Sequence, residues 1–151
     1  MVFFSYHHNN KEKIAKVFAK VLDAQIKTPQ QINPEELQEY KLIDFGSGIY
    51  GGKHHKLLID LTDNLPQVTN RNTFIFSTIA LAGEAKVVKD HSLLREKLQL
   101  KSYIIVDEFS CKGFNTNSFL KYFGGMNKGR PNSKDLKHAE DFARNLKQNL
   151  Q

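Results

Sequence analysis

Between the apolar pair Phe3-Phe4 and a stretch with helical spacing lie Ser5, Tyr6, His7, His8, Asn9, Asn10 and Lys11. A turn that leads from a strand into a helix gathers backbone N–H groups at the positive helix end, where an anion is favoured. Ser5, His7, His8 and Asn10 add hydrogen-bond donors and Lys11 adds a charge. Asn9 is, after glycine, the type that best tolerates a left-handed backbone. A phosphate cradle is one reading of this turn, and plain capping of the helix by Asn9 or Asn10 is the other. A second turn, Gly46-Ser47-Gly48-Ile49-Tyr50-Gly51-Gly52, holds four glycines in seven positions. It is read either as backbone that approaches a flat ligand closely, with Tyr50 stacking on it, or as an exposed turn. A third, Ser77-Thr78-Ile79-Ala80-Leu81-Ala82-Gly83, offers two hydroxyls to one rim of such a ligand.

All three follow short apolar strands: Val2 to Tyr6, Leu42 to Gly46 and Thr73 to Ser77. In a parallel sheet those turns share one edge, which is where open α/β sheets bind ligands. Ser110-Cys111-Lys112-Gly113-Phe114, after the strand Tyr103 to Phe109, reaches the same edge and adds a wall.

The pairs His7-His8 and His54-His55 do not indicate a metal. Adjacent histidines diverge, and the chain has no His-x-x-x-His or Cys-x-x-Cys spacing. Hydrogen bonding at helix ends is the expected use. Cys111, the single cysteine, cannot form an internal disulfide. A helix end and Lys112 nearby would activate its thiol, whereas burial would leave it inert.

Helices are expected at Asn10 to Leu22, where Ile14, Ala15, Val17, Phe18, Val21 and Leu22 form one apolar stripe, and at Lys53 to Asn64, stopped by Pro66. Others are expected at His91 to Leu100 and at Ser133 to Leu150, with Ser133 as N-cap. A short helix over Pro34 to Glu39 has Asn33 as its cap. Ala24 to Lys27 supplies a short second strand, Thr78 to Asp90 is irregular, and Ser110 to Asn132 is a loop long enough to be functional. Strands alternating with helices imply right-handed crossovers and a doubly wound α/β fold, a three-layer sandwich. Its sheet has five parallel strands in the order 2-1-3-4-5, and its ligand site lies between the first and third strands.

The 151 residues suit one domain. No signal peptide is visible and no apolar stretch reaches the roughly 20 residues of a membrane helix, so a cytoplasmic protein without a membrane partner is expected. The net charge of +6 raises the question of an anionic partner, but Lys11, Lys13, Lys16 and Lys20 read first as a solvated helix face. No basic stripe interleaved with aromatics points to nucleic acid.

The first turn with Glu12-Lys13-Ile14-Ala15, then Tyr40 to Tyr50, then Phe74-Ile75-Phe76-Ser77-Thr78, resembles the flavodoxin family over nearly the whole chain. It is most similar to small flavodoxin-like proteins of bacteria and archaea, through Ser5-Tyr6-His7-His8, Phe109 to Phe114 and Gly124 to Pro131. The resemblance implies noncovalent FMN across residues 1–151. Its phosphate would lie at Ser5, His7, His8, Asn9, Asn10 and Lys11. Its ring system would lie between Ser47, Gly48, Ile49, Tyr50, Gly51 and Gly52 on one side and Ser77, Thr78, Ile79 and Ala80 on the other. Tyr50 matches the aromatic that covers one flavin face, and Gly51 or Gly52 the glycine peptide that turns toward the reduced ring. Asn9 stands where the family has glycine and Lys11 where it has a hydroxyl, so the phosphate contacts differ in detail. The third turn lacks the usual second aromatic.

The resemblance implies an electron carrier, with no catalytic residue of its own, that works between a reductase and an acceptor as a monomer or weak dimer. Two alternatives stand beside it: an NAD(P)H-dependent reductase of quinones or other small acceptors, and a flavin-free binding module. Positive charge near the flavin favours its reduced anion, so a potential less negative than that of acidic flavodoxins is expected.

Overall fold

In the computed structural model the described residues are 2–4, 10–80, 83–113 and 127–150. The sheet is built from β1 (Val2–Phe4), β2 (Leu42–Tyr50), β4 (Arg71–Ile79) and β5 (Tyr103–Lys112), all parallel, in the order β1-β2-β4-β5. A two-residue strand, β3 (Lys53–His54), folds back antiparallel on the end of β2. The helices are α1 (Asn10–Leu22), α2 (Lys56–Asp63), α3 (Glu84–Leu100) and α4 (Ser133–Asn149). α1 and α4 pack together on one side of the sheet, and α2 and α3 on the other.

The three-layer α/β architecture is the expected one, but the described sheet has four parallel strands, not five in the order 2-1-3-4-5. Ala24 to Lys27 does not form a strand; Lys27 alone makes an isolated bridge. The physical reason lies just downstream. Pro29 has no N–H to give a ladder and starts a 3-10 turn, Pro29–Gln31. A second 3-10 turn, Pro34–Glu39, is capped by Asn33, whose side chain accepts from the Glu35 N–H as expected. Arg71 at the start of β4 donates to the carbonyls of Gln38 and Tyr40 and holds this turn against the sheet.

Alternation along β4 divides the core. Phe74 and Phe76 point toward α1 and α4, while Ile75 points toward α2 and α3. On the first side Phe18 of α1 is the hub, meeting Phe74, Phe76 and Phe109 edge-on at centroid separations of 5.4, 5.3 and 5.3 Å. On the other side Phe45, Leu58, Ile75, Leu94 and Leu98 are fully or almost fully buried.

Four boundaries differ from expectation. β2 runs through Gly46, Ser47 and Gly48 because Gly46 answers a packing demand. A Cβ there would stand 2.0 Å from the Phe76 ring, so the aromatic fills the space a side chain would take. α3 begins at Glu84, not His91, and covers most of the supposedly irregular stretch. Its first inward residues, Asp90 and His91, are polar, so no apolar stripe announces it before Leu94 and Leu98. The N-cap of α4 is Asn132. Its side chain accepts from the Lys134 and Asp135 N–H groups, and Asp135 accepts in return from the Asn132 N–H. The expected loop from Ser110 is also shorter, since β5 continues to Lys112. Between Thr73 and Phe74 the pairing of β4 with β5 skips Val106, which stands as an extra residue on β5.

Gly46→Ala is expected to destabilise the fold by about 1–3 kcal/mol, as overpacking does. The denaturation midpoint should fall with little change in slope, and an unchanged midpoint would contradict the packing role of this glycine.

Candidate functional site

The four parallel strands deliver their following turns to one edge of the sheet. After β1 comes the N-terminus of α1, which starts at Asn10 and contains Lys11. Ser5, His7, His8 and Asn9 lie outside the described residues. After β2 the chain makes a two-residue hairpin turn. Tyr50 pairs with Lys53, and Gly51 and Gly52 both have positive φ, +57° and +77°, as the tight hairpin turn that matches strand twist requires. A Cβ on Gly51 would meet nothing within 4 Å. Half-buried Tyr50 lies edge-on to the His55 ring at 5.3 Å.

The structure divides the expected site residues. Ser47, Gly48, Ile49 and Tyr50 belong to β2, and Ser77, Thr78 and Ile79 belong to β4, so these seven are strand residues and not loop residues. Ser47 and Ser77 are fully buried and Thr78 and Ile79 nearly so. Gly51, Gly52 and Ala80 do lie in turns at the edge. Gly83, just before α3, likewise has open space where a side chain would stand.

The buried serines serve an internal network. Ser47, Ser77 and Ser110 are register partners on β2, β4 and β5 and so form one row across the sheet. Ser47 Oγ lies 2.9 Å from His54 Nδ1 and accepts from the His55 N–H. Ser77 Oγ lies 2.7 Å from His91 Nε2 and 3.1 Å from Ser110 Oγ. His91 Nδ1 lies 2.7 Å from Glu108 Oε2, and Arg95 grips both oxygens of that carboxylate at 2.6 and 2.8 Å. The rings of His54 and His91 are 4.9 Å apart, so the two serine–histidine pairs meet. His55 instead caps α2, accepting from the Leu57 N–H, as helix-end use of a histidine predicts.

Burial, with His91 close by, holds His54 well below the ordinary imidazole range, so this ring is neutral. Burial also pushes the Glu108 carboxyl up, but hydrogen bonds and charge from His91 and Arg95 outweigh it and hold the group down at about 2. Cys111 is buried in β5 and its thiol is pushed up to about 12, first by burial and then by Asp135. That is the inert fate of the two considered for it. Among the described residues no group of histidine, cysteine and carboxylate side chains could hold a metal ion, and no helix is long and apolar enough to cross a membrane.

Beside this network a cavity of about 700 Å³ runs along the outer side of β5 between α3 and α4. Val87, Val88, Phe142, Ser110, Lys112 and His138 are among its walls. His91, Glu108 and Arg95 lie outside the three expected turns. The signal was there in the repeated strand ends Gly46-Ser47, Phe76-Ser77 and Phe109-Ser110, which place a hydroxyl at one height on three strands.

The chain is 42% identical over 149 residues to an uncharacterized protein of Methanocaldococcus jannaschii, MJ0298, covering 99% of this chain and 97% of that one. The two belong to one family. No family model matches the chain. Its fold is flavodoxin-like. A flavodoxin from the domain Archaea superposes with a TM-score of 0.63 at 14% identity, covering 99% of this chain and 96% of its own. A flavodoxin of Streptococcus pneumoniae TIGR4 gives 0.70 at 13% identity, with 98% and 97% covered. Rubredoxin oxygen:oxidoreductase of Desulfovibrio gigas gives 0.70 at 13% identity; the match spans 99% of this chain and 35% of that larger protein.

The Glu108 cluster makes a pH prediction. Its folded value lies below the ordinary 4.5, so its stabilisation is fully present above that pH and is lost as pH falls toward about 2. Glu108→Gln should cost about 1–3 kcal/mol at pH 7 and flatten the acid limb of the stability profile between pH 4.5 and 2. Parallel acid limbs for the two proteins would contradict the assignment.

Proposed function

We propose that this protein binds FMN at the edge formed by the ends of β1, β2 and β4, and passes electrons between a reductase and an acceptor protein. The carrying observation is the pair of open glycine turns, Gly51-Gly52 after β2 and Gly83 after β4, at the ends of neighbouring parallel strands of a flavodoxin-like fold. The N-terminus of α1 follows β1 at that edge. The residues present fit a flat anionic ligand: backbone without side chains at Gly51 and Gly83, the aromatic Tyr50 beside one turn, and a helix start with Lys11 for the phosphate. Bound FMN would supply one- and two-electron transfer, which side chains cannot perform. The chain would supply position and electrostatics. Tyr50, Gly51, Gly52 and Ala80 are the described residues placed to hold the ring system. The hydroxyls of Ser47 and Ser77 support the strands beneath it, being engaged by His54 and His91.

A reductase acting on a small acceptor is the second reading. It is favoured by the cavity along β5, which lies within the size range of small-molecule sites and reaches Ile79 and Gly83 beside the third turn.

The test is a fluorescence and absorption titration of the purified apoprotein with FMN, with riboflavin as the control that lacks phosphate. FMN is expected to bind at least tenfold more tightly than riboflavin. Absence of FMN binding would overturn the flavin reading and leave a flavodoxin fold used as a binding module. Steady NADH or NADPH oxidation by the FMN-loaded protein alone would select the reductase reading over the carrier.

A further inference from the structure

The chain of groups from Ser110 to Glu108 keeps every hydrogen bond in two different protonation states. The Ser77 hydroxyl donates to Ser110 at 3.1 Å as the structure gives it; with His91 neutral both hydroxyls can point the other way, Ser110 to Ser77 and Ser77 to His91 Nε2 at 2.7 Å, while Nδ1–H donates to Glu108 at 2.7 Å. With one more proton, His91 donates from both nitrogens, and the Ser77 and Ser110 hydroxyls turn round without any heavy atom moving. Arg95 keeps the Glu108 carboxylate fixed and ionised in both states. The Glu108 carboxylate stands in direct contact with the buried His91 ring.

The chain has a mouth. Ser110 is half-buried on the cavity wall, whereas Ser77 and His91 are fully buried. Its middle member, His91, is linked to both strands whose turns frame the candidate flavin site. Ser77 lies on β4 ahead of the third turn, and His54, whose ring is tilted against that of His91 at 4.9 Å, is tied to Ser47 on β2 and pairs with Ile49. Negative charge added at this edge is therefore felt at His91.

We propose that His91 takes up a solvent proton, delivered through Ser110 and Ser77, when flavin bound at the sheet edge is reduced, and returns it on reoxidation. This rests on the flavin reading above. The electrons come from the reductant and the proton from water at the cavity wall. Ser77 gives its proton to the lone pair of His91 Nε2, Ser110 gives its own to Ser77, and water restores Ser110, so only O–H and N–H bonds exchange and no side chain is oxidised or reduced. Glu108 from β5 and Arg95 from α3 are the charges on His91. Asp90, bound to Lys86, precedes it in α3 close to Gly52, His54 faces it from β3, and His55 is turned away to cap α2.

The test uses the FMN-loaded protein with dithionite as reductant. The midpoint potential should fall with pH more steeply in the wild type than in His91→Gln, by about 30 mV per pH unit for one extra proton per two electrons. The ring nitrogens of His91, followed by 15N NMR in the wild type, should shift to imidazolium values on reduction, a readout that needs no variant to fold. Ser110→Ala should keep the slope and slow proton uptake tenfold or more in stopped flow with a pH indicator. FMN binding with equal slopes and unmoved His91 signals would overturn the relay alone, and unchanged uptake in Ser110→Ala would overturn its route. Failure to bind FMN would overturn the flavin reading and the relay with it.

Discussion

Everything at the upper end of the α2/α3 side of the sheet depends on the contact between two buried histidines, each held by a serine of a different strand. Polar groups inside a close-packed core cost free energy unless their hydrogen bonds are made. Ser47 with His54 Nδ1, and Ser77 with His91, meet only when β2, β3, β4 and α3 are all in place, and His54 Nε2 has no partner among the described residues. A one-residue slip of β2 against β4 would turn Ser47 to the α1/α4 side and leave His54 facing hydrocarbon. The network thus specifies a register, and through the register it fixes where the Gly51-Gly52 turn stands.

The two faces of the sheet divide the work. On the α1/α4 side an aromatic cluster around Phe18 fills the space with hydrocarbon and gives rigidity. On the α2/α3 side the lower layers are also apolar, but the layer nearest the strand ends is polar and charged, from Ser47 across to Glu108 and Arg95. Charge and polarity are concentrated where the turns open, and packing is concentrated where nothing needs to change.

Much of this was legible in the residues. The apolar stripes of α1 and α4, the strand cores and the shared edge follow from periodicity and alternation, which burial enforces. The glycines were harder, because one residue type answers two different demands. Gly51 and Gly52 serve backbone conformation, whereas Gly46 makes room for the Phe76 ring, and that ring comes from another strand. α3 was half hidden for a similar reason: Asp90 and His91 face inward but are polar, and only their partners across the fold make burial tolerable. Ser47 and Ser77 read as ligand donors since small hydroxyl residues before a turn do serve that way. In the structure their hydroxyls bond histidines 7 and 14 residues further on.

The extra residue at Val106 bears on how the protein keeps company with its own kind. β1 closes one side of the described sheet with three residues, while β5 leaves a ten-residue edge on the other. Such an edge is a template on which further strands can stack without limit. A newcomer to β5 would have to copy the kink at Val106 and then seat its backbone beside the acidic pair Asp107-Glu108. Among the described residues it is the shape and charge of β5 itself that discourage strand-by-strand growth.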